Sequence, residues 1–322
     1  PWYRPTRVCF MQSGGEFGWR TCSKKWPARW EDSLPAVVDI GPGSPTGVAF
    51  GYGAKFPSKY QDALYICDWS YGKMYAVHLN PNGAGYSGTT EEFMSASPLP
   101  LTDIEVSKKD GAMYVSVGGR KVQSGLYRVT YTGAEKSDRS DKLDSSDLAK
   151  VREGLEKEGA SVEAAWPHLS SADRHLRFAA RIALEHQPVA SWKDKALSET
   201  NPRAALTAVM ALARSSGGDK SLQQPILAAL NKIDFKSLKG LDRVTLIRDY
   251  MLTFTRLGEP DAATKAEFIA KLNPLFPTND TGLNRDLTEL LVYLGDAGIV
   301  AKAAPLVNDS PTQEEQIDYA RI

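Results

Sequence analysis

The sequence predicts a multidomain chain: a partial antiparallel β-propeller of about two blades over residues 1–133, a linker at 134–144, and an all-α solenoid over 145–322. Three observations carry that reading. First, Leu64–Asp68 with Lys73–Leu79 is matched about 50 residues on by Ala112–Gly119 with Leu126–Tyr131, and a strand-and-turn period of that length is the signature of propeller blades. Second, the hydrophobic period changes near residue 133 from two to 3.6. Third, the strongest helical stretches beyond it recur at intervals of about 30 to 40 residues with weaker helices between them.

The elements follow in order. Ser44–Phe50 opens the first blade. Met74, Ala76 and His78 alternate with Tyr75, Val77 and Leu79, so this strand has two unlike faces. Asn82-Gly83 and Asp110-Gly111 are hairpin signals. From Ala134 to Ser146 the chain is polar and reads as a solvated linker. Beyond it, Leu176, Ala179, Ala180 and Ala183 share one helix face, as do Leu206, Val209, Met210 and Ala213. Ile247, Met251 and Phe254 form another such face, and Leu287, Leu290, Leu291 and Leu294 a fourth. Asn201-Pro202 marks one helix start, and Ser310–Gln313 reads as a capping box with proline at the first position. Gly217-Gly218, Gly258 and Gly295 mark helix ends. This spacing is that of HEAT-type helix pairs, which bury their apolar faces only by stacking.

Composition narrows the function. The chain of 322 residues is 42% hydrophobic and 24% charged, enough to build cores. Lys+Arg and Asp+Glu number 39 each, which argues against a nucleic-acid partner, since phosphate binding needs a basic excess. No apolar run reaches membrane-span length. The chain starts at Pro1 and stops within a helical pattern, so it is expected to be an excerpt of a longer protein. Cys9 and Cys22 flank the turn-like Ser13–Glu16; a hairpin there would set them opposite each other, and two thiols in half-buried strands is the plainer account. Cys67 reads as core.

Propeller geometry singles out one candidate site. Strand starts on the inner side and the loops between second and third strands share one end of the blades. Ser44–Thr46, Asp68–Tyr71, Leu101–Asp103 and Gly118–Lys121 are therefore expected to converge. The cluster expected to bind substrate or cofactor is Asp68, Trp69, Thr102, Asp103, Arg120 and Lys121; it offers two carboxylates, an indole, a hydroxyl and two cations. Against it stands ordinary scaffolding: Asp capping turn amides, Trp closing gaps, Arg paired with Asp. Glu16, Trp19 and His78 read as turn, packing and strand-surface residues. His175 and His186 are too far apart along a helix to bind one metal, and no metal site is expected. Arg174, Arg177 and Arg181 read as solvated or interhelical pairs rather than an anion site.

Phe17-Gly-Trp19, Ser44–Phe50, Lys55-Phe-Pro57, Asp68-Trp69 and Asp110–Val115 carry a resemblance to the glucose/sorbosone dehydrogenase propellers, which use pyrroloquinoline quinone (PQQ). With Trp166–Leu169 and Leu176–Gln187 included, the chain is similar to multidomain proteins of planctomycete-type bacteria that join such a propeller to HEAT-like repeats and a cytochrome c domain. The resemblance implies an extracytoplasmic redox protein that oxidises a sugar-like alcohol. Electrons would pass to a haem domain of the same full-length chain, downstream of this segment. The family's quinone-binding cations fall about at Ser70, Pro100 and Thr102, which are neutral here and cannot pair with the quinone's carboxylates. No Cys-x-x-Cys-His is present, so neither PQQ nor haem is expected to bind within this segment. The rival function is a non-catalytic carbohydrate-binding or protein-interaction scaffold: a degenerate propeller with a solenoid.

Overall fold

The computed structural model describes residues 6–17, 26–136 and 146–322. Trp19, Cys22 and residues 137–145 of the linker region lie outside them. Contacts divide the chain into two compact units, the first of residues 1–11 and 35–150, the second of 12–34 and 151–322.

The first unit is built from antiparallel strands. A short pair, β1 (Thr6–Val8) and β2 (Val38–Gly41), stands apart. Four strands form one sheet in chain order: β3 (Pro45–Phe50), β4 (Leu64–Asp68), β5 (Lys73–Asn82) and β6 (Gly85–Ser95). The one-turn helix α1 (Ser58–Gln61) sits in the β3–β4 connection. Three more form a second sheet: β7 (Leu101–Val106), β8 (Met113–Gly119) and β9 (Val122–Val129). Neither sheet closes on itself. Asn82 pairs with Gly85 across a two-residue turn where Gly83 has φ 58, the left-handed backbone such hairpins need.

One core serves both sheets, because β3 packs beside β7. Tyr65, Cys67, Met74 and Ala76 from the first sheet meet Leu101, Ile104, Met113 and Val115 from the second. Alternation decides which residues go in at the start of β5, where Met74 and Ala76 are fully buried and Tyr75 is half-exposed; it breaks beyond, where Val77 is fully buried and His78 half-exposed. Each large side chain buried there contributes roughly 1.5–3 kcal/mol.

The second unit is helical. After α2 (Asp147–Leu155) come α3 (Val162–Ala165), α4 (Arg174–Glu185), α5 (Lys193–Ser198), α6 (Pro202–Ser215) and α7 (Gln223–Asn231). Then follow α8 (Leu241–Leu257), α9 (Ala262–Leu272), α10 (Thr281–Leu294), α11 (Ile299–Asp309) and α12 (Gln313–Arg321). Helix α4 packs on α6, α6 on α8 and α8 on α10, while α7 packs on α6 and α8 and α9 on α10. Helix α6, with α4, α5, α7 and α8 around it, is buried continuously from Ala204 to Ala213. The glycine stops hold: Gly258 and Gly295 close α8 and α10, with φ 108 and 84. At Asn201 the side chain accepts from the amides of Arg203 and Ala204, with Pro202 opening α6. At the C-terminal end the cap differs from expectation. Thr312, not Ser310, caps α12, accepting from the Glu315 amide, because the helix starts two residues after Pro311. Among the described residues, no helix is long and apolar enough to cross a membrane.

The period change alone groups residues 12–34 with the strands, yet the described ones, 12–17 and 26–34, fall in the unit of the helices. Leu34 packs on Phe178 and Ile182, and Gln12 exchanges hydrogen bonds with His175.

Candidate functional site

The edge of the first unit singled out by the sequence is assembled from four chain segments. Strand β4 ends at Asp68, opposite Pro45 at the start of β3, and β7 begins at Leu101, opposite Val117 near the end of β8. Asp68 is almost wholly buried, and its Oδ1 accepts from the amides of Ser70 at 2.7 Å and Tyr71 at 3.0 Å. That is a carboxylate closing its own turn. Its other oxygen lies where a side chain on residue 43 would stand: a Cβ on Gly43 would come within 1.8 Å of Oδ2, so a larger residue there would displace the carboxylate. The Ser70 and Ser44 hydroxyls are hydrogen-bonded at 2.7 Å, and the Trp69 amide donates to the Ser44 carbonyl.

The two sheets are tied together at this edge. Thr46 Oγ1 donates to the Leu101 carbonyl at 2.9 Å. Trp69 Nε1 donates to the Gly118 carbonyl at 2.8 Å, and its ring lies against Gly119, while 42% of the residue stays exposed. Thr102 bonds the Ser116 hydroxyl at 2.8 Å and its carbonyl at 3.1 Å. Asp103 accepts from the Ile104 amide and lies against Gly47 on β3. Arg120 and Lys121 form the exposed β8–β9 turn directly after the stretch that Trp69 touches, with Lys121 in a left-handed backbone, φ 61.

The structure thus brings Asp68, Trp69, Thr102 and Asp103 to the facing ends of the two sheets. It commits Asp68 to a turn and Thr102 to its neighbour. Ser70 and Thr102, where the resemblance would place the cations of a quinone site, are neutral hydroxyls bonded to Ser44 and Ser116. This donor set does not fit the carboxylates of PQQ. The groups left to solvent are Trp69, Tyr71, Arg120 and Lys121, with the exposed Asp103 carboxylate at the same edge.

Other candidate groups have structural surroundings. Cys67 is fully buried, and burial, helped by the charge of Asp103, pushes its thiol up to about 12. His78 faces Glu91 at 3.5 Å and the ring of Tyr60. Burial pushes the His175 imidazole below its usual value. No three His, Cys, Asp or Glu side chains among the described residues are grouped to hold a metal.

The second unit holds an arrangement that the sequence reading did not anticipate. Residues 29–34 lie along α4, α6, α8 and α10, gripped by buried charges. Glu31 is held by Arg177, with contacts of 3.1 and 2.7 Å. Asp32 is held by Arg248 at 3.1 and 2.7 Å, with Arg214 at 3.5 Å. Arg29 Nε donates to Asp286 at 2.9 Å, and Trp30 Nε1 donates to the same carboxylate at 3.1 Å. The Arg248 guanidinium lies 3.7 Å above the Trp30 ring. Arg174 donates to the carbonyls of Trp30 and Ser33. Arg181 pairs with Glu185 on its own helix, and Arg214 bonds Glu185 at 2.8 Å. Of the three arginines read as solvated or interhelical, Arg174 and Arg177 therefore do grip anionic and carbonyl oxygens. Comparison of the chain with family models, with curated proteins and with solved structures returns no match.

A signal for this grip was present. Arg177 sits between Leu176 and Phe178 on a helix whose other faces are apolar, and arginines recur at similar places on later helices, at Arg214 and Arg248. An arginine on a buried face needs a partner. What periodicity does not reveal is that the partners lie far upstream, at Glu31 and Asp32. A separate open cleft of about 390 Å³ lies where α6 and α8 begin, lined by Ser170, Asn201, Arg203, Lys239 and Asp242; Arg203 and Asp242 pair across it at 2.8 Å.

Proposed function

We propose that this chain is a binding scaffold, with two blades of a propeller-like domain followed by HEAT-like stacked helix pairs, and that the shared edge of the sheets binds an acidic saccharide. One observation carries this reading. The buried Asp68 carboxylate is committed to its own turn and Asp103 gives one oxygen to the Ile104 amide, while an exposed indole and two cations remain on the surface. An indole face stacks on the apolar face of a sugar ring, and Arg120 and Lys121 complement a uronate carboxylate.

Titration of the chain with uronate oligosaccharides and with neutral glucan oligosaccharides of equal length tests this. The acidic series is expected to bind and to change tryptophan fluorescence. Trp69→Ala or a combined Arg120→Ala, Lys121→Ala variant should weaken binding at least tenfold. Equal binding of both series, or binding insensitive to these substitutions, overturns the reading. The second reading is a quinone-dependent sugar or alcohol dehydrogenase, supported by the blade-length repeat and by the resemblance described above. It requires anion partners that Ser70, Pro100 and Thr102 do not supply. Micromolar binding of PQQ with calcium would favour it.

A further inference from the structure

We propose that the face formed by α4, α6, α8 and α10 is a recognition surface for an acidic linear peptide carrying a tryptophan followed by two carboxylates, and that residues 26–34 of this chain occupy it as an internal ligand. The proposal is independent of the saccharide reading, which concerns the other unit.

Three observations support it. The occupant has no helix or strand of its own and is read through successive side chains, which is how a linear motif is read. Each anchor has its own seat. Trp30 sits between Asp286 and Arg248, Glu31 in the Arg177 fork, Asp32 in the Arg248 fork, and Leu34 against Phe178 and Ile182. Two of the arginines are also held from their own side: Arg177 donates to the Ser171 carbonyl and Arg181 pairs with Glu185, and with Arg248 they project from separate turns of packed helices. Guanidinium forks held in this way lose little freedom on meeting a carboxylate. Finally, the internal segment does not exhaust the face. Among the described residues, Arg181 Nε and Nη2, Arg174 Nε and the Ser33 hydroxyl are buried without a hydrogen-bond partner, although Glu31 Oε1 lies 3.8 Å from Arg174 Nε. Buried N–H groups left unmade are costly, so a ligand with a further acidic group has donors to meet. The occupant implied is a partner protein's short segment of that composition, folded through two turns as Pro27–Ser33 is here, argued from charge complementarity.

The test uses the full chain with residues 26–34 replaced by a Gly/Ser stretch of equal length, and a fluorescent peptide of the native 26–34 sequence as probe. The replaced chain is expected to keep its helical circular dichroism and to bind the peptide in the micromolar range. Wild-type, already occupied, should bind at least tenfold more weakly. A peptide carrying Glu31→Gln and Asp32→Asn should lose at least tenfold in affinity for the replaced chain. A second variant, Asp32→Asn in the full chain, loosens the internal segment without removing it and should take up the free peptide better than wild-type. A folded replaced chain that ignores the peptide overturns the proposal. So does equal binding by wild-type and replaced chains. If the replaced chain fails to fold and Asp32→Asn takes up no peptide, the segment is core and the proposal falls. Concentration-dependent dimers of wild-type that exchange this segment would assign the face to a second copy and overturn the partner assignment.

Discussion

Asp68 shows how one residue's environment decides between chemistry and architecture. Its carboxylate is buried, accepts two backbone amides, and fills the space beside Gly43. Removing such an acceptor strands two donors of a tight turn, at a cost of about 2 kcal/mol. Asp68→Ala is therefore expected to lower the urea midpoint clearly, Asp68→Asn to lower it less because an amide oxygen still accepts, and Arg120→Ala to leave it unchanged. Equal midpoints for Asp68→Ala and wild-type would release Asp68 from the turn and return it to the list of ligand-binding groups. The residue types at this edge were legible from sequence, since strand direction alone sends Asp68, Trp69, Thr102 and Asp103 to the same end. Their occupations were not. Whether a carboxylate faces solvent or its own turn depends on a backbone turn and on a glycine far upstream, neither of which leaves a periodic trace.

At the scale of elements, caps and stops were the most readable features because their chemistry is local. Asn201, Gly258 and Gly295 act where the sequence places them. The exception is the last helix, where Ser310 and Thr312 compete for the same role. Thr312 takes the role by accepting from the Glu315 amide, while the Ser310 hydroxyl is turned back to donate to the Leu306 carbonyl of α11. Thr312→Ala is expected to cost about 1 kcal/mol of local stability and to speed amide exchange through the first turn of α12. Ser310→Ala should barely alter that exchange; the reverse order would restore the upstream cap. The strands of the two sheets and the helix faces were likewise legible, from periods of two and 3.6. The placement of residues 12–34 with the helices was not, because the link is made by single ion pairs between positions far apart in the chain.

For the whole molecule, those ion pairs set how stability responds to pH. Burial pushes the Asp32 carboxyl up, but the charges and hydrogen bonds of Arg248, with Arg181 and Arg214 nearby, outweigh it and hold it below the usual carboxylate range. Its contribution is present above the unfolded value and is lost as pH falls through the lower, folded one. Asp249, next in sequence to Arg248, behaves oppositely. Both its oxygens are buried without a hydrogen-bond partner among the described residues. Burial, then the charges of Asp32 and Glu31, push its carboxyl well above the ordinary value, against the pull of Arg248 and Arg181. The native chain then keeps a proton there that the unfolded chain releases. Stability from this site is full below the unfolded value near pH 4 and declines as pH rises toward the folded one, by about 1.4 kcal/mol per pH unit. Asp249→Asn keeps the shape and removes the ionisation. It is expected to raise the urea midpoint at pH 7, with the advantage over wild-type shrinking steadily toward pH 4. A variant no more stable than wild-type at pH 7, or one whose difference from wild-type is the same at both pH values, would show that Asp249 is ionised in the native chain and that the arginines around Asp32 serve both carboxylates.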